Sequence, residues 1–264
     1  MFQINISEFI PPIFHRAITY LRKKIMRSTG FRLNGATRMP PFDAVPADIN
    51  VRWVLDIGAN QGDVAEAALV TYPNCHVICF EPVKATFANL TKKLQPFADR
   101  IHLYNLALSD QSGAGEINLT TFHGANSILP QAQFHKHFNP HVRELGREEI
   151  LLAKLDDFAS NFPNQQIDVL KIDVEGYELN VLKGGVNFIK NNVDTIIIEI
   201  ALMRDSSWET QGIFEIFSLL HDADFRLINV VDLCYAKKEQ SNQNMLLVQM
   251  DCVFRKKHML CLPA

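Results

Sequence analysis

The segment Trp53-Val54-Leu55-Asp56-Ile57-Gly58-Ala59-Asn60-Gln61-Gly62-Asp63 constrains the fold more than any other part of the chain. An apolar run meets an acid, two glycines follow four residues apart, and Val64-Ala65-Glu66-Ala67-Ala68-Leu69-Val70 continues as a helix former. The pattern reads as strand, tight turn, helix. Glycine admits a left-handed backbone and lets another group approach without a Cβ in the way. A helix N-terminus offers unpaired N–H groups to an anion. Such a unit places a ligand site at the carboxyl end of a first parallel strand. A plain β-turn-α unit with packing glycines is the alternative reading.

Apolar periods alternate along the rest of the chain. Strand-like segments fall at 51–56, 76–80, 101–106, 115–120, 168–172, 194–200, 225–230 and 245–250, and helix-like segments at 62–71, 84–94, 177–190 and 210–221. Strands alternating with helices predict right-handed βαβ units and a mostly parallel sheet in a three-layer α/β sandwich. Residues 231–244 read as a polar loop with no room for a crossover helix, so the last strand must run antiparallel to its predecessor. A parallel sheet completed by an antiparallel last strand is the Rossmann-like arrangement of class I methyltransferases.

The 264 residues suffice for one α/β domain with additions. A net charge of −3 argues against a dedicated nucleic-acid binder, so no nucleic-acid partner is expected. Cys75, Cys79, Cys234, Cys252 and Cys261 show no zinc-type spacing and read as reduced thiols of a cytoplasmic protein. No apolar run reaches the roughly 18 residues of a membrane span. Residues 1–49 divide off as a basic amphipathic helix and linker ahead of a domain at 50–264. Within residues 7–27, Arg16, Arg22, Lys23, Lys24 and Arg27 accompany Ile13, Phe14, Ala17, Ile18, Leu21 and Ile25 at helical spacing. That face could meet a membrane surface or a partner, or pack on the main domain. Its charges follow the apolar residues, unlike those of a signal peptide. Residues 28–50, with Gly30, Gly35, Pro40, Pro41 and Pro46, read as linker.

Three further motifs carry chemistry. Glu81 ends the second strand in Val77-Ile78-Cys79-Phe80-Glu81-Pro82, where a carboxylate can accept both hydroxyls of a ribose. A nicotinamide site would share that acid, but a dinucleotide turn wants glycine where Asn60 stands. The turn Gly58–Gly62 therefore suits a smaller anion, such as an amino-acid carboxylate. S-adenosylmethionine has that carboxylate, a ribose and no phosphate, and Asp56 would complement its positive charge. In Leu103-Tyr104-Asn105-Leu106-Ala107-Leu108-Ser109-Asp110, Ala107 and Leu108 could wall an adenine ring, with Ser109 or Asp110 at its edge. A strand followed by a capped turn explains the same residues. The fourth motif, Leu170-Lys171-Ile172-Asp173-Val174-Glu175-Gly176-Tyr177-Glu178, sets two acids at a strand end. Such a pair needs a cation, a metal or a proton. The chain has no Asn/Asp-Pro-Pro-aromatic turn here, which favours oxygen over a base amino group as the methyl acceptor.

Residues 54–62, 80–82, 103–110, 170–185 and 196–200 together resemble, in order and spacing, the FkbM-type methyltransferases of class I. The resemblance covers roughly residues 50–250. It implies S-adenosylmethionine as cofactor and O-methylation of a hydroxyl on a sugar or other small-molecule acceptor. It gives Asp56, Gly58, Gly62 and Glu81 cofactor roles and Asp173 and Glu175 a site role. Asp173 or Glu175 would serve as general base, or would hold a divalent ion that Glu199 could join, though a metal is not favoured. Residues 121–149, with His123, His135, His137 and His141, interrupt the βα rhythm and read as a lid or a solvated loop. A non-catalytic S-adenosylmethionine-binding scaffold and a nicotinamide-dependent oxidoreductase are the alternatives. Neither the acceptor's identity nor the oligomeric state is legible in the sequence.

Overall fold

A computed structural model describes residues 41–46, 49–129, 142–202, 212–237 and 245–260. The basic segment 7–27, His135, His137, His141 and Cys261 lie outside them. At the centre stand β1 (Trp53–Ile57), β2 (His76–Phe80), β7 (Ile167–Ile172) and β8 (Val193–Ala201). Their near-continuous apolar sequences follow from burial on both faces, as a parallel sheet demands. With β3 (Ile101–Tyr104), β9 (Phe225–Lys237) and β10 (Met245–Lys256) they form a seven-stranded sheet ordered β3-β2-β1-β7-β8-β10-β9. The first five strands of that order are parallel, and β10 runs antiparallel to both β8 and β9. The expected reversal of the last strand is therefore present, but β10 inserts between its two neighbours rather than closing the edge. Winding changes direction between β1 and β7, and a crevice beyond the strand ends at such a point is where open α/β sheets bind ligands.

Side chains alternate across the strands and build one core on each face. Leu55, Ile57, Phe80, Ile172 and Ile198 pack under α3 (Leu155–Phe158), α4 (Glu178–Gly184), α5 (Val186–Asn192) and α6 (Ile213–Asp222). Val54, Val77, Val169, Ile197 and Val253 pack under α1 (Asp63–Thr71) and α2 (Lys84–Leu94). Phe42 and Val45 are buried in this second core, so the domain begins within the stretch read as linker. Among the described residues no helix is long and apolar enough to cross a membrane. Cys75, Cys79 and Cys252 are buried free thiols, and Cys234 is an exposed one.

Three element assignments change. The helix expected at 177–190 is two helices, divided at Gly185. A Cβ on the neighbouring Gly184 would sit 1.8 Å from the Ser109 carbonyl oxygen, so the chain passes there at backbone contact. Asp156 then caps the second helix, accepting the Phe188 amide at 2.7 Å and the Asn187 amide at 3.2 Å. Residues 231–237 extend β9 instead of opening a loop. The end of the presumed lid is β6 (Glu144–Ala153), which joins β5 (Gly113–Thr120) and the two-residue β4 (Ala107–Leu108) in a second sheet ordered β4-β6-β5. Most of β6 faces solvent on both sides, so its sequence carries no apolar alternation.

At the far end of β10, Lys256 ties the layers together. Its Nζ donates to the Lys190 and Ala223 carbonyls at 2.6 Å each and lies 4.3 Å from the Phe225 ring centroid. The two carbonyls close the C-terminal ends of α5 and α6, where a cation is favoured.

Candidate active site

The β1–α1 turn adopts the backbone its glycines imply. Gly58 and Gly62 have φ of +83° and +82°, and Asn60 joins them at +48°. A Cβ on Gly58 would lie 1.8 Å from the Asp173 carbonyl oxygen. The glycine is thus what lets the β1 turn press against the β7 turn, and the Asp173 amide donates to the Ile57 carbonyl across the same junction. Beyond it Glu175 holds φ +51°, a strained conformation for a residue with a side chain. Glu178 secures that turn by accepting the Val174 and Gly176 amides on one carboxylate oxygen.

Glu81 sits at the end of β2, accepting the Asn60 amide at 3.0 Å on Oε2 and the Val83 amide at 2.9 Å on Oε1. Burial pushes its carboxyl up to about 7 despite these donors. Asp56 is 1% exposed. Burial raises it to about 7 against the pull of Lys171, with Asp173 and Glu81 adding to the rise. Asp56 Oδ2 and Asn60 Oδ1 are buried acceptors with no donor among the described residues. Two orphaned oxygens beside a fixed carboxylate are what a ligand bearing an ammonium group and hydroxyls would complete. The residues present therefore fit S-adenosylmethionine.

Asp173, Glu175 and Glu199 bring one carboxylate oxygen each to within 4.8 Å of one another, close enough to share a proton or hold a cation. Gln249 on β10 donates to Glu199 Oε1. Burial, then the Asp173 and Glu175 charges, hold the Glu199 carboxyl well above its ordinary range. Beneath the trio lies Lys171, which the sequence reading quoted without a role. It is 2% exposed, with Nζ 3.3 Å from both Asp251 oxygens and 3.5 Å from Asp173 Oδ2. Burial alone would push its ammonium down, but Asp173, Asp251 and Glu199 outweigh that and hold it above its ordinary value. Strand register explains the grouping: Asp56 pairs with Lys171 across β1–β7, and Asp251 with Glu199 across β10–β8. Asp251, on the reversed strand, had no signal beyond being an acid within an apolar run.

The remaining candidates are placed differently. Ala107 and Leu108 form β4 and are buried, Leu108 within the main core. Asn105 and Leu106, just before them, are more accessible, and Asn105 Nδ2 donates to the Glu81 and Pro82 carbonyls at 2.9 Å. Ser109 is fully buried and bonded to the Tyr177 hydroxyl at 3.1 Å, which corrects its reading as a ring-edge donor. His123 lies in a short 3-10 turn, 123–125, with Gly124 between Asn60 and Phe122.

Comparison with known proteins agrees with this geometry. The FkbM methyltransferase domain model matches residues 56–227. The 2-O-methyltransferase NoeI of Sinorhizobium fredii is 30% identical over 138 residues, 50% of this chain and 56% of that protein. Methyltransferase sdnD of Sordaria araneosa is 29% identical over 196 residues, 66% of this chain and 73% of that protein. The hexuronic acid methyltransferase AglP of Haloferax volcanii is 29% identical over 151 residues, 57% of this chain and 56% of that protein. The match thus spans little more than half the length of NoeI and of AglP. With the glycine turn, the strand-end acids and the class I sheet order in place, the chain belongs to the FkbM methyltransferase family, which implies S-adenosylmethionine as methyl donor.

Proposed function

We propose that this chain is an S-adenosylmethionine-dependent O-methyltransferase acting on a hydroxyl of a sugar or similar small molecule. The observation that carries the reading is the convergence of Asp173, Glu175 and Glu199 beside the Gly58 turn. An alcohol is a weak nucleophile, and a carboxylate at its proton is what oxygen methylation needs. The activities named for NoeI and AglP point the same way.

When bound, S-adenosylmethionine supplies a methyl group on a sulfonium sulfur that departs as a neutral thioether. Glu81, fixed by two backbone donors, would accept the ribose hydroxyls on its remaining lone pairs. Asp56 Oδ2 and Asn60 Oδ1 would take N–H donors of the amino-acid end. We assign Glu175 the proton of the acceptor hydroxyl. The Asp173 carboxyl group, paired with Lys171, lies beside it. Glu199, already held toward its protonated form, lets the proton be shared across the trio. Alignment of the two reactants supplies most of the rest, as in any in-line displacement.

Calorimetric titration with S-adenosylmethionine, S-adenosylhomocysteine and NAD(H), with Mg²⁺ or EDTA, tests the cofactor. Micromolar binding of the adenosyl ligands that is lost in Glu81→Ala is the expected result. Binding of NAD(H) in their place would overturn the reading. Transfer of labelled methyl to a hydroxyl acceptor should fall at least about 100-fold in Glu175→Gln with cofactor affinity intact. Full turnover in that variant would remove Glu175 as base, and loss of turnover in EDTA would give the trio a metal.

A further inference from the structure

Phe122 is 46% exposed, yet its backbone is hydrogen-bonded at both carbonyl and amide. Its carbonyl accepts the Thr120 hydroxyl and the Ala125 amide, each at 2.7 Å, and its amide donates to Thr120 Oγ1 at 3.3 Å. The Thr120 amide donates to Asn126 Oδ1 at 2.8 Å, and Ser127 Oγ to the Glu175 carbonyl at 2.9 Å. The last of these bonds fastens the turn to the β7 turn that carries Asp173 and Glu175. On its other side a Cβ at Gly124 would lie 2.9 Å from the Phe122 ring and 3.6 Å from Asn60 Nδ2. The turn that carries the ring therefore stands at the carboxyl edge of the sheet, beside both loops of the site. The His123 imidazole stacks against it, with ring centroids 5.6 Å apart and planes at 28°.

A single exposed apolar side chain is ordinary. An exposed ring on a turn that is bonded to the β7 turn and packed beside Asn60 has a more specific use. We propose that Phe122 is the stacking platform for the acceptor, and that the acceptor is a neutral pyranoside whose apolar C–H face lies on the ring. The proposal rests on the methyltransferase reading and narrows its substrate class. A pyranose presents one face of C–H groups and a rim of hydroxyls. The face suits an aromatic ring and the rim suits acceptors such as the trio. A uronate would bring a further carboxylate beside the clustered carboxyl groups of Asp173, Glu175 and Glu199, which favours a neutral ring.

The test uses the full chain loaded with S-adenosylhomocysteine and three probes: methyl fucoside, methyl glucoside and methyl glucuronoside. Saturation-transfer NMR with irradiation in the aromatic region should mark the C–H protons of one face of a neutral glycoside. Phe122→Ala should abolish the transfer and raise the acceptor KM roughly 10- to 100-fold, while Phe122→Tyr retains both. Affinity for S-adenosylhomocysteine should change less than about twofold in either variant. Equal transfer and KM in Phe122→Ala, or preference for the glucuronoside, overturns the platform. Cofactor binding without any glycoside binding overturns it too and leaves the methyltransferase reading standing. Absence of cofactor binding in the wild type overturns that reading itself.

Discussion

Replacing Asp56 by asparagine tests the electrostatics of the cofactor site without any acceptor. Burial moves this carboxyl from 3.8 to about 7. At 1.36 kcal/mol per pH unit, that corresponds to roughly 4 kcal/mol between its two protonation states. A raised value means that the folded protein holds the proton more tightly than the unfolded chain. The stabilising contribution is complete below pH 3.8 and is lost as pH rises through about 7. Between pH 5 and pH 8 the ligand-free protein should lose roughly 3 kcal/mol from Asp56. Glu81, moved from 4.5 to about 7 by burial, should add a similar loss over the same window. Urea unfolding at pH 5, 6, 7 and 8 reads the sum. Asp56→Asn should lower the wild-type slope, and Asp56→Asn with Glu81→Gln should lower it by about as much again, leaving the part that Glu199 and Asp251 contribute. Saturating S-adenosylhomocysteine should also flatten the wild-type slope, because its ammonium gives Asp56 Oδ2 a donor and favours the ionised form. A wild-type curve already flat from pH 5 to 8, or one unchanged by the double substitution, would refute the reasoning.

Two structural predictions follow from contact geometry. Gly58→Ala sets a Cβ against the Asp173 carbonyl at a φ of +83°. It should cost about 3 kcal/mol, seen as a fall in Tm of roughly 6–12 °C, and should abolish calorimetric binding of S-adenosylhomocysteine. Lys256→Met leaves the Lys190 and Ala223 carbonyls without their shared donor. It should cost about 2–3 kcal/mol and speed hydrogen exchange at the ends of α5 and α6, with cofactor affinity unchanged.

What the sequence made legible was local. The strands β1, β2, β7 and β8 announce themselves because burial on both faces demands unbroken apolar runs. The Gly58–Gly62 turn and Glu81 are readable because each job is done within a few residues of a strand end. β6 escaped because its first six residues, mostly exposed on both faces, have no pattern to show. The split between α4 and α5 escaped because its cause, the Ser109 carbonyl pressed on Gly184, comes from a distant element.

The acid trio shows the same limit at the site itself. Two acids at the end of β7 signalled a need for a cation or a proton, and the sequence offered the proton of an acceptor hydroxyl or a divalent ion to meet it. Much of the answer was Lys171, two residues earlier on the same strand. A lysine inside an apolar strand is costly alone, so its presence implies carboxylates on neighbouring strands facing the same side. Which carboxylates they are depends on register, and β10 sets it by entering backwards between β8 and β9 to bring Asp251 opposite Glu199. The site is thus held by a charge arrangement built across β1, β7, β8 and β10. Removing Lys171 would take away the charge that draws the Glu199 and Asp251 carboxyls down, so Lys171→Met should push both further up and lower the Tm.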